Sequence, residues 1–169
     1  MKSAISSRRV WLLGGVALIG TAAQAQKTAV PADMLGSWRW TTISGTNYVD
    51  KNTGQITDNA GGMSVGFVFN RNGRYKFNFF VRQKTYSLVT EAYSTHEGTV
   101  KFGDGQFILI AEKGHYRGSS TGGKTVDRPM TKDELKKNTV YLYKWETVDG
   151  KRQLKIGPTL NSLSLFKRV

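Results

Sequence analysis

The chain has 169 residues, 38% hydrophobic and 22% charged, with a formal net charge of +13 and no cysteine. This length suits one domain with a sizeable core, and the composition fits neither a disordered chain nor a membrane bundle. The absence of cysteine excludes disulfides, thiolate chemistry, cysteine zinc sites and a lipid anchor on cysteine.

The first segment reads as an export signal. Met1 to Ala25 has a basic start, an apolar run from Val10 to Ala23, and Ala23-Gln24-Ala25 as a small-residue cleavage site. The mature protein is expected to begin at Gln26 and to be periplasmic or secreted. The apolar run is shorter than the about 20 residues a membrane span needs, so no transmembrane segment is expected. Ser7-Arg8-Arg9-Val10-Trp11-Leu12 also resembles a twin-arginine export motif. With Lys2, Arg8 and Arg9 removed, the 25 Lys and Arg less these three, against 12 Asp and Glu, leave +10. Such a charge favours anionic surfaces, so acidic lipid or polysaccharide of the envelope is a candidate partner. The charges are scattered and form no nucleic-acid-binding stripe.

The 8 Phe, 7 Tyr and 4 Trp, with 19 Gly and 3 Pro, point to strands and tight turns, because aromatics suit pleated surfaces and glycine supplies positive φ. Pro31 to Leu35 predicts a short helical turn, with Pro31 tolerated at its start. A first strand over about Ser37 to Tyr48 then places Trp38, Trp40 and Thr42 on one face. Val49 to Gly62 is polar and turn-rich, and reads as a long first loop with room for a small hairpin. Met63, Val65, Phe67 and Phe69 alternate, as do Tyr75, Phe77, Phe79 and Val81 beyond the Asn70 to Gly73 turn, which predicts a hairpin with one apolar and one basic face. Val89 to Phe102 and Gln106 to Tyr116 pair through Gly103-Asp104-Gly105, and the apolar run Phe107 to Ala111 leaves the inward face undecided. Gly118 to Lys124 reads as a mobile loop. Thr131 and Glu134 have capping-box spacing, with Met130 and Leu135 as hydrophobic staple, predicting one short helix near 131–137. Thr139 to Thr147 resumes as strand with Tyr141, Tyr143 and Trp145 on one face, followed by Arg152 to Ile156 and a last strand over Ser162 to Arg168.

About eight antiparallel strands joined mostly as hairpins predict an all-β, up-and-down barrel over residues 26–169, since closure removes exposed edges. Leu35-Gly36-Ser37-Trp38-Arg39-Trp40 at the mouth of the first strand and the basic end Leu165-Phe166-Lys167-Arg168-Val169 resemble the lipocalin (calycin) family of small β-barrels. The resemblance implies that Trp38 plugs the closed end, that Arg168, or Lys167 with a register one residue different, packs over its ring, and that the first loop lids the open end.

Chemistry-bearing residues are few. His96 and His115 fall on paired strands near Glu112, a set that could hold zinc or copper, yet the spacing matches no known ligand motif and no metal or cofactor is assigned. No nucleophile-elbow pattern surrounds any serine, and residues 118–124 lack P-loop spacing, so no catalytic residue is assigned. Trp40, Tyr75, Tyr141, Tyr143 and Trp145 offer apolar walls with polar tips, and an eight-stranded barrel is wide enough to hold one small ligand or to fill with side chains. The preferred reading is an exported, monomeric, lipocalin-like barrel binding a small apolar or amphipathic ligand among these five residues. The rivals are an envelope module with a filled lumen and basic exterior, and a lumen isomerase or cyclase.

Overall fold

The computed structural model describes residues 29–169 apart from 50, 54, 55 and 86, and for 44–49 and 56–60 the backbone alone. The expected signal peptide, 1–25, lies outside the described residues. A 3₁₀ turn over Ala32–Met34 leads into strands β1 (Gly36–Val49), β2 (Ile56–Phe69), β3 (Arg74–Thr85), β4 (Leu88–Gly103) and β5 (Gln106–Ser120). There follow β6 (Val126–Pro129), helix α1 (Lys132–Leu135), β7 (Thr139–Val148), β8 (Lys151–Gly157) and β9 (Ser164–Arg168).

The pairing is antiparallel throughout. Neighbours in sequence pair from β1 to β5, β5 then pairs with β7, and β8 and β9 return the sheet to β1. The fold is therefore all-β, an eight-strand ring with barrel-like closure. Strand β6 shares one edge of β5 with β7: it pairs with His115 to Gly118, whereas β7 pairs with Gln106 to Leu109. Helix α1 is the interruption between these two pieces. Among the described residues no helix is long and apolar enough to cross a membrane.

Three expectations are corrected. Val49 to Gly62 is not one long loop, because β2 already begins at Ile56 and its Gly61 and Gly62 pair with Ser44 and Ile43. Its polarity and glycines mislead, since backbone hydrogen bonds to a neighbouring strand need no apolar side chain. Gly118 to Lys124 is likewise strand through Ser120, and β6 follows it as a short extra strand. Helix α1 stops at Leu135, short of Lys137. Its start is as expected: Thr131 caps Glu134 N–H while the Glu134 carboxylate accepts from Thr131 N–H.

Residues directly opposite each other in antiparallel strands lie on the same face, so the register defines rungs inside the ring. Gly36, Phe69, Tyr75, Gly98 and Ala111 make the lowest that spans β1 to β5; Trp38, Phe67, Phe77, His96 and Gly114 the next; Trp40, Val65, Phe79, Ser94, Tyr116 and Arg128 the third; Thr42, Met63, Val81, Ala92, Gly118 and Val126 the fourth. Between Gly98 and His96 the register of β4 against β5 shifts by one, leaving Glu112 as a bulge. The bulge keeps both Ala111 and Gly114 facing inward. Gly98 is required opposite it: an added Cβ would lie 2.0 Å from the Ile110 carbonyl oxygen.

The lower half of the ring is filled. Phe67 lies with ring centroids 5.1–5.7 Å from Phe69, Phe77, Phe107, Tyr141 and Phe166. Val100, Phe102, Leu109, Leu154 and Ile156 complete this buried cluster. Each such side chain contributes about 1.5–3 kcal/mol on burial.

The walls differ in height. Strands β1 to β5 are 12 to 16 residues long, against 7 for β8 and 5 for β9. Strand β9 reaches β1 only at Trp38 and Arg39. Above that level the tall wall curves on without the short wall facing it, and its inner rungs form an open trough.

Candidate ligand-binding trough

The trough is built from the third and fourth rungs. Val65, Phe79 and Val81 supply apolar surface, Trp40 one aromatic flank, and Ala92, Ser94 and Gly118 a low floor on β4 and β5. All are partly exposed, unlike the filled rungs below. Two glycines on the inner face of β5 let longer chains lie flat on the sheet. A Cβ at Gly114 would come within 2.5 Å of Met130 Sδ, and one at Gly118 within 2.7 Å of the Tyr116 hydroxyl. Met130 and Tyr116 thus lie over bare backbone.

Where β6 turns into α1, the trough narrows to a cavity of about 280 Å³. Ser94, His96, Ala111, Tyr116 and Met130 line it, with Glu134, Lys137 and Thr139 at its lip. The lip is fastened: Arg128 donates two bonds of 2.9 Å to the Glu134 carboxylate and stands 5.7 Å from the centroid of Tyr116. These bonds, Arg128 first and the Thr131 backbone next, hold the Glu134 carboxyl down at about 2.

His96 is the polar group at the foot of the trough. Its Nδ1 lies 2.7 Å from the Tyr75 hydroxyl, and Phe77 stacks on its ring at 4.4 Å. Burial lowers its pKa to about 4, so the imidazole is neutral at pH 7. Burial, and then the charge of Glu112, raise the Tyr75 pKa, so the phenol stays protonated. A neutral imidazole with Nδ1 engaged keeps Nε2 for a second hydrogen bond.

The five aromatics singled out from the sequence all point into the ring and pack on its core, but they do not enclose one space. Tyr75 and Tyr141 lie within the filled layer, Tyr141 stacked on Phe107 at 5.5 Å. Tyr143 packs on Phe102 and Phe107, and Trp145 meets Trp38 edge-on at 5.7 Å at the closed end. Only Trp40 of the five reaches the trough. Phenylalanines from β2, β4 and β5 occupy the volume between the others.

At the closed end Trp38 is 6% exposed, its indole N–H donates to the Met34 carbonyl at 2.9 Å, and Arg168 stands over its ring at 5.1 Å. Gly36, at φ 103, makes the turn from the 3₁₀ segment into β1, a conformation that favours glycine.

The two histidines are separated by the sheet. His96 faces inward, whereas His115, one residue beyond its partner Gly114, faces outward and bonds Asp127. Glu112, expected near them, bonds Arg74 and Thr99 instead. Among the described residues no group of three or more His, Asp or Glu is placed to hold a metal. Tyr116 was not legible as a site residue, because the bulge at Glu112 reverses the alternation along β5; Ser94 and Met130 were not legible because the cavity they line is assembled from β4, β5 and the segment after β6, far apart in the chain. No protein-family model, characterised protein or solved structure matches this chain.

Proposed function

We propose that this chain is an exported, lipocalin-like barrel that binds a small apolar or amphipathic ligand, held in the trough above the filled core. The observation that carries the reading is the contiguous, concave apolar wall of Trp40, Val65, Phe79, Val81 and Ala92, left uncovered where β7, β8 and β9 stop short. A concave, mostly apolar surface with a few converging polar groups is the usual form of a small-molecule site. His96 and Tyr116 supply those polar groups at the narrow end. The ligand is then an apolar chain or ring system along the wall, with a hydrogen-bonding end toward His96. Sequence resemblance to lipocalins and the signal-like first 25 residues support the carrier role and a periplasmic or secreted location.

The test is a titration of the mature protein, beginning at Gln26, with dodecanoic acid and its methyl ester, followed by tryptophan emission. Saturable change with wild type, weakened about tenfold or more in Ala92→Phe, is expected, because a phenyl ring fills the floor and displaces a ligand contact of about 1–3 kcal/mol. Equal binding by wild type and Ala92→Phe would remove the trough as the site.

A further inference from the structure

The closed end of the barrel, away from the trough, carries a second concavity of different chemistry. A cavity of about 610 Å³ opens between the 3₁₀ turn, the start of β8 and the end of β9. Trp38, Trp145, Leu154 and Phe166 form its apolar lining, while Lys151, Arg152, Lys167 and Arg168 crowd its rim with a single carboxylate, Asp33. Four cations against one anion leave a surplus of three positive charges around one hollow. Like charges held this close repel, and low-dielectric walls concentrate their field into the concavity.

The two arginines are held in place before any ligand arrives. Arg152 lies 4.1 Å from the centroid of Trp145 and donates to Asp33 at 2.8 Å; Arg168 lies 5.1 Å from the centroid of Trp38 and donates to the Leu35 carbonyl at 2.8 Å. Each guanidinium carries five N–H donors, so most remain for a ligand, and their planar fork matches phosphate geometry. Lys151 and Lys167 have no carboxylate partner among the described residues. Ring stacking restricts the arginines' rotamers, which lowers the entropy lost on binding.

From this geometry we infer that the closed end is a binding site for a phosphate ester, the phosphate on the cationic rim and the organic part against the partly exposed Trp145 and Leu165. Two sources share that chemistry, a soluble phosphate monoester and the headgroup of an anionic phospholipid. The site is independent of the trough and uses none of its residues.

The test has a soluble arm and a membrane arm. The mature protein is titrated with glycerol 1-phosphate by calorimetry, and floated with phosphatidylcholine vesicles with and without roughly one third phosphatidylglycerol. Saturable binding in the soluble arm assigns a free ester; flotation only with phosphatidylglycerol assigns the headgroup; either supports the site. Lys151→Gln with Lys167→Gln, which leaves both ring-stacked arginines intact, is expected to weaken binding about tenfold. The same charge change in Lys124→Gln with Lys132→Gln, two exposed positions elsewhere, should leave it unchanged. Ala92→Phe in the trough should also leave it unchanged, so failure of the trough reading is seen separately. Absence of saturable binding in both arms would overturn the inference, as would equal loss in the two lysine pairs, which would mean diffuse surface charge.

Discussion

Tyr75 and His96 form a hydrogen bond of 2.7 Å between the phenol oxygen and Nδ1, on a rung boundary where Tyr75 is 1% exposed. Among the described residues no carboxylate is bonded to the pair, and burial is the cause of the lowered imidazole pKa. The pair is a neutral hydrogen-bonding unit at the foot of the trough.

Stability should fall on acidification through this group. The His96 pKa is depressed from 6.5 to about 4, so the unfolded chain binds the proton more readily than the folded one. The penalty is absent above about pH 6.5, grows as pH falls towards 4 and is complete below it. With the imidazole partly reached by solvent, the loss should be about 2 kcal/mol. Urea denaturation of wild type and His96→Gln at a series of pH values checks this: the difference between the two curves should change across that window and be flat above it.

Trp38→Ala should cost about 3–5 kcal/mol, because it leaves a cavity in a packed layer and removes the partner of the Met34 carbonyl and of the Arg168 guanidinium. Arg168→Ala should cost about 1 kcal/mol, the size of an exposed cation–π contact. Thermal melts decide both, and a Trp38→Ala protein as stable as wild type would contradict the closed-end packing.

Tyr143→Phe separates the trough from a deep-lumen site. Tyr143 packs on Phe102 and Phe107 in the filled half, so removing its hydroxyl should leave dodecanoic acid binding unchanged. Ser94→Leu, one rung above His96, should weaken that binding by about 1–2 kcal/mol through loss of floor space. The same fluorescence titration reads both variants.

Thr131→Ala should destabilise by about 1 kcal/mol, the usual cost of losing a helix N-cap. Here the cap also orients Glu134 towards Arg128 and so fastens the lip. Hydrogen exchange at 131–136 should therefore accelerate more than exchange in β7.

Much of the fold was legible because its signals are local. A strand has a side-chain period of two, so Trp38 with Trp40, Met63 to Phe69, Tyr75 to Val81, and Tyr141 to Trp145 could be assigned to the inner face from their spacing alone. The capping box at Thr131 and Glu134 was legible for the same reason, since both partners lie within one helical turn. Barrel-like closure followed from the number of strands and the need to remove edges.

The tertiary structure alone decided what the inner face does. Residues 56–62 became strand because β1 offers backbone partners, which a polar, glycine-rich stretch does not reveal. The bulge at Glu112 is a one-residue offset between two chain segments, and a one-residue offset moves every later side chain to the other face; it sets Gly114 opposite His96 and sends His115 outward. Whether inward aromatics enclose a space depends on the volume that distant strands bring to it. Phe67, Phe69, Phe102 and Phe107 fill the lower ring, and the shortness of β8 and β9 leaves the upper wall open, because packing and wall height are sums over strands far apart in the chain.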